Sequence, residues 1–84
     1  MQKYNYEQII EDGVTATYKA VRERMQAGWY DYTPDVQTVT QWAYKRVFRY
    51  NRWAMAREGA KVKPDIAKLV EERYGDEINA ISLF

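Results

Sequence analysis

Apolar side chains recur along this chain at intervals of three and four residues, and no segment sustains the alternation of apolar and polar positions that a half-buried strand needs. Between Asn5 and Ala27, Tyr6, Ile10, Val14, Thr17, Val21 and Met25 fall on one side of a helix. Asn5 followed by Gln8 has the spacing of a capping pair, and Gly28 supplies the stop. Gly13 lies inside this run, where glycine costs about 1 kcal/mol relative to alanine. Either the helix is interrupted there or another backbone packs closely against it.

The connection "GWYDYTP" supplies Thr33 as a cap, Pro34 as the first helical residue and Asp35 in a first turn whose dipole favours negative charge. A second helix runs from there to about Glu58, with Val36, Val39, Ala43, Val47, Tyr50 and Ala54 as its apolar seam. After Gly59, Pro64 and Asp65 start a third helix whose stripe is Ile66, Leu69, Val70 and Tyr74, closed by Gly75. Asp76 then caps a last turn carrying Ile78 and Ile81 before the apolar end "ISLF". The expected fold is a single all-α domain over residues 1–84, with helices near 5–27, 35–58 and 64–74. Its central helix is long and its C-terminal helical turn short. Ile10, Val14, Val21, Val39, Ala43, Val47, Leu69 and Val70 are expected in the core.

Opposite the seam of the central helix lie Thr38, Gln41, Lys45, Arg49 and Arg52, a polar stripe without a carboxylate. Trp42 and Trp53 border it on one edge and Phe48 on the other. Within "AYKRVFRYNRWAMAR", residues 43–57, five cations and four aromatics share about four helical turns. From residue 45 to 63 seven Lys or Arg oppose Glu58 alone, a local charge of +6 that leaves −5 for the rest of a chain totalling +1.

Composition narrows the chemistry. With 84 residues, 46% of them apolar and 30% charged, the chain reads as one small globular domain. No run approaches the ~18 consecutive apolar residues of a spanning helix. The start "MQKYNYEQII" lacks a basic-then-apolar signal, and there is no cysteine, so a cytoplasmic setting without disulfides is expected. Having neither histidine nor cysteine, the chain lacks the usual proton shuttle, the thiolate nucleophile and the ordinary zinc ligands. The adjacent carboxylate pairs Glu11/Asp12, Glu71/Glu72 and Asp76/Glu77 point about 100° apart on a helix and do not converge. Ser82 is the one serine, and the four glycines are too scattered to cradle a phosphate. A protein that is not an enzyme, with no cofactor and no metal, is the expectation.

Two readings of the basic stripe follow. In one, Lys45, Arg49 and Arg52 meet nucleic-acid phosphates, Thr38 and Gln41 reach base edges, Trp42 and Trp53 stack, and Lys61 and Lys63 extend the positive surface. In the other, the rings belong to the core and the arginines lie over them or pair with Glu7, Glu11, Glu71 and Glu72. A helix-turn-helix requires a turn of three or four residues, and positions 35 to 58 read as unbroken. A break near Tyr50 and Asn51 would restore that possibility. Three Trp, eight Tyr and two Phe also suit a protein interface. The alternative function is therefore a small inhibitor or adaptor of the phage or mobile-element kind, docking its aromatic and basic surface on an acidic protein or ribonucleoprotein. A homodimer is compatible with either, and a membrane partner with neither.

Overall fold

The computed structural model describes residues 4–82, with side chains as far as Asn79. Four α-helices follow one another: α1 (Tyr6–Gln26), α2 (Val36–Tyr50), α3 (Arg52–Glu58) and, after a 3-10 turn at Gly59–Lys61, α4 (Val62–Ser82). Among the described residues there is no strand, and the protein is all-α. No helix among them is long and apolar enough to cross a membrane.

Helices α1, α2 and α4 pack against one another in pairs, and their apolar stripes meet in one core. Ile10, Val14 and Val21 of α1 face Val39, Ala43 and Val47 of α2 and Ile66, Val70 and Ile78 of α4, all buried. Leu69 packs against this core only partly buried, because it sits toward the α1–α4 surface groove. The largest fully buried side chain is Tyr18. Its hydroxyl donates to the Val70 carbonyl at 2.7 Å, so the one polar atom that burial would orphan has a partner. Gly13 is buried, and a Cβ built there would lie 2.2 Å from a Val47 methyl. Of the two possibilities its presence raised, close approach is the one realised: α1 is continuous and the crossing with α2 needs the missing side chain.

Three expectations about boundaries change. The cap of α2 is Asp35, whose carboxylate accepts from the Thr38 N–H at 2.8 Å. Thr33 and Pro34 precede it, and Pro34 is buried with its carbonyl accepting from the Tyr74 hydroxyl. A proline two positions before the first helical residue ends the connection instead of opening the helix.

The long second helix is divided. Asn51 leaves helical geometry (φ −134°, ψ 39°), and its side-chain amide donates to the Val47 carbonyl at 3.3 Å. Asparagine offers the backbone a local hydrogen-bond partner outside the helix ladder, and the break falls at that residue. Tyr50, expected in the seam, is therefore 67% exposed, while Ala54 and Met55 of α3 return to the core. The third helix does not stop at Gly75. Nothing lies within 4 Å of a Cβ at that position, and α4 runs through it to Ser82, so Asp76 caps no separate turn. Ile81 keeps its helical backbone but its side chain, with Leu83 and Phe84, lies outside the described residues.

Candidate functional site: a basic groove between α1 and α2

The central helix does not present its cations on a bare convex face. Along part of their length α1 and α2 are separated by an open groove of about 220 Å³. Thr17, Ala20, Val21 and Arg24 form the α1 wall, and Trp42, Lys45, Arg46, Arg49 and Tyr50 form the α2 wall. Helical spacing assembles it: Trp42, Lys45, Arg46 and Arg49 occupy adjacent turns of one face of α2, and Ala20 and Arg24 one face of α1. Four cations thus line the groove and no carboxylate does.

Ion pairing is spent elsewhere. Among the described residues the salt bridges are Arg22 and Arg73 to Glu77 and Lys61 to Glu58. Among the described residues Arg24, Lys45, Arg46, Arg49 and Arg52 have no carboxylate within 4.0 Å, and pairing with Glu7, Glu11, Glu71 and Glu72 does not occur. These arginines do lie over rings, but the rings are exposed, and of them only Phe48 borders the stripe. Arg46 and Arg49 lie 5.9 and 5.8 Å from the Tyr50 centroid, Arg52 5.9 Å from Phe48, and Arg24 5.0 Å from Trp29. An exposed ring holds a guanidinium by roughly 0.5–1 kcal/mol without neutralising it. These rings orient the cations and leave their charge available.

Of the expected site residues, the groove unites Trp42, Lys45 and Arg49. Trp42 is half-buried, stacked on Tyr30 with centroids 5.7 Å apart at 21°. Thr38 and Gln41 lie on α2 before the groove and do not line it; Thr38 is partly buried with its N–H held by Asp35. Arg52 begins α3 beyond the break. Trp53 is 63% exposed against Tyr4, at 5.5 Å, which precedes α1 and lies away from the groove. Lys61 bridges Glu58, whose carboxylate also accepts from the Tyr4 hydroxyl, and lies 4.6 Å from the Tyr6 ring. Lys61's hydrogen bond and Tyr4's hold the Glu58 carboxyl below its ordinary range, and burial with the Asp65 hydrogen bond pushes the Tyr6 phenol up. Lys63 lies 5.5 Å from the Tyr44 ring, outside the groove.

Among the charged and aromatic residues of the groove, Arg24, Arg46 and Tyr50 were not expected there. Arg46 lies one step nearer the core than the stripe, and Arg24 comes from another helix. Their shared exposure depends on how α1 and α2 cross, which periodicity within one helix does not encode.

A second groove, between α1 and α4, has the opposite character. It is larger, about 470 Å³, and is bordered by Glu7, Glu11, Asp65 and Glu72 against Lys61 and Lys68. Of these two clefts only the one between α1 and α2 is lined by cations without a carboxylate.

The break at Asn51 bears on the helix-turn-helix. A single residue divides α2 from α3, too short for that motif, but α3, the three-residue turn beginning at Gly59 (φ 69°) and α4 have its spacing. The exposed part of the following helix, however, bears Asp65, Glu71, Glu72 and Asp76 against Lys63 and Lys68. That surface carries a net negative charge and does not favour phosphate. No protein family, curated protein or solved structure matches this chain.

Proposed function

We propose that this protein binds nucleic acid non-enzymatically, through the groove between α1 and α2. The observation that carries the reading is the conjunction at one cleft of Arg24, Lys45, Arg46 and Arg49 with no carboxylate, two aromatic rings in its wall, and a compensating negative surface elsewhere. Unpaired cations side by side repel one another. A polyanion relieves that repulsion, and the release of its condensed counterions drives the association. Phosphates supply affinity in this account, and Trp42 and Tyr50 offer faces to bases.

The test is equilibrium binding of a labelled oligonucleotide at low salt by the wild type, K45Q/R49Q and K68Q. Lys45 and Arg49 are exposed, so their replacement leaves the core intact. The double variant should bind several-fold more weakly and K68Q, in the α1–α4 groove, as wild type. Equal binding by all three, or no binding by the wild type, refutes the reading.

A second reading has its own support. Trp29 is 68% and Trp53 63% exposed, and rings of that size, with arginine, commonly anchor protein interfaces. Under it the protein is an inhibitor or adaptor of the phage or mobile-element type that docks on an acidic protein or ribonucleoprotein, and W53A would abolish that complex while leaving oligonucleotide binding unchanged.

A further inference from the structure

We infer that the groove is built for a single strand and not for a duplex. This rests on the nucleic-acid reading above and narrows it to a class of ligand. The major groove of B-DNA is about 12 Å across and admits one α-helix with its side chains. The basic face of α2 is walled by α1 along Thr17, Ala20 and Arg24. Two packed helices have axes about 8–10 Å apart and together span about 20 Å. The pair is too wide to enter a major groove together, and cations that share a cleft with the α1 wall are poorly placed to reach base edges inside one. A strand without a partner is thin enough to lie in the cleft.

The distribution of rings points the same way. Tyr50, 67% exposed, lies at one end of the groove, and Trp42 lines it about 12 Å farther along the α2 axis. Trp29, 68% exposed, lies 5.0 Å from the guanidinium of Arg24, which belongs to the α1 wall. A row of cations thus runs between exposed aromatic faces. Duplex bases are already stacked on one another and cannot use such faces. Unpaired bases can, and stacking on aromatic side chains is largely indifferent to sequence. The strand's phosphates would follow the four cations while bases at either end cover Tyr50 and Trp29. Little sequence preference is expected. Deoxyribose and ribose strands should both bind, since phosphate contact and ring stacking are common to both.

The experiment titrates the whole protein with labelled oligothymidylate, oligouridylate and a mixed-sequence duplex of about the same length, over a salt series, following anisotropy and tryptophan emission. Wild type should bind both single strands more tightly than the duplex, with quenched emission. W29A and Y50A should each weaken single-strand binding by about 5- to 150-fold without changing the salt slope, because they remove stacking and no phosphate contact. K45Q should instead reduce that slope by about 0.7. Both rings are exposed, and circular dichroism confirms that the variants stay folded. A duplex bound as tightly as the single strands, or W29A and Y50A binding as wild type, overturns the inference and leaves the broader reading standing. If none of the three probes binds, both fall.

Discussion

Replacing Gly13 with alanine should destabilise the protein, although alanine is the better helix former. Propensity alone favours the change by about 1 kcal/mol. The added Cβ, however, would lie 2.2 Å from a Val47 Cγ and 3.4 Å from its Cβ. Carbon atoms prefer about 3.5–4.0 Å, so something must move by more than about 1 Å. Val47 is fully buried and β-branched, with one strongly preferred rotamer in a helix, and cannot swing aside. Overpacking of this kind costs about 1–3 kcal/mol, and a contact this short belongs to the upper part of that range. The net loss should be about 1–2 kcal/mol. Gly75→Ala is the internal control: nothing lies within 4 Å of its Cβ, so α4 should keep a gain of about 0.5–1 kcal/mol. Urea unfolding followed by helical circular dichroism measures both. Because Gly13 sets the separation of α1 and α2, G13A should also disturb the basic groove and weaken nucleic-acid binding beyond the fraction unfolded. A G13A variant as stable as wild type, or a destabilised G75A, would contradict the packing at this crossing.

Tyr18→Phe removes the hydroxyl that donates to the Val70 carbonyl and should cost about 1 kcal/mol in the same unfolding assay; unchanged stability would mean the bond contributes nothing net. Asp35, through the Thr38 N–H, and Glu58, through Lys61, hold their protons less tightly when folded, so their contribution is present at neutral pH and is lost as pH falls below about 4. Asp35→Asn keeps an uncharged cap and should flatten part of that acid loss in melting temperature; an unaltered acid limb counts against the cap. At the alkaline end, burial pushes Tyr18 up to about 12 and raises Tyr4, Tyr6 and Tyr74. Stability from these neutral phenols is complete below about pH 10 and disappears as pH rises toward 12. Phenolate absorbance should therefore show a late-titrating subset of the eight tyrosines, and a single titration near pH 10 would refute it.

The helical stripes were legible because burial on one side of a helix imposes its period on the sequence, and Ile10, Val14, Val21, Val39, Ala43, Val47 and Val70 are all buried as the pattern implies. Punctuation was less legible. Gly75 has the look of a stop, yet a glycine costs a long helix only about 1 kcal/mol, which Val70 and Ile78 in the core on either side of it offset. Asn51 broke a helix whose apolar seam continued past it, because one residue that takes up non-helical backbone leaves the hydrophobic period untouched. Part of the candidate site was visible as a carboxylate-free run on one helix. Its other half was not, since Arg24 reaches the groove only through the α1–α2 crossing that Gly13 permits. Tyr18 was missed for a related reason: its ring is buried and its hydroxyl satisfied by a residue 52 positions away.

Titrating oligothymidylate into isotope-labelled protein and mapping the amide and indole resonances that move tests most directly where the strand binds. The account predicts shifts concentrated on residues 17–24 and 42–50 and on the Trp29 and Trp42 side chains, with the α1–α4 groove around Glu11, Asp65 and Glu72 unmoved. Shifts centred on α3 and Trp53, or spread evenly over the surface, would contradict it.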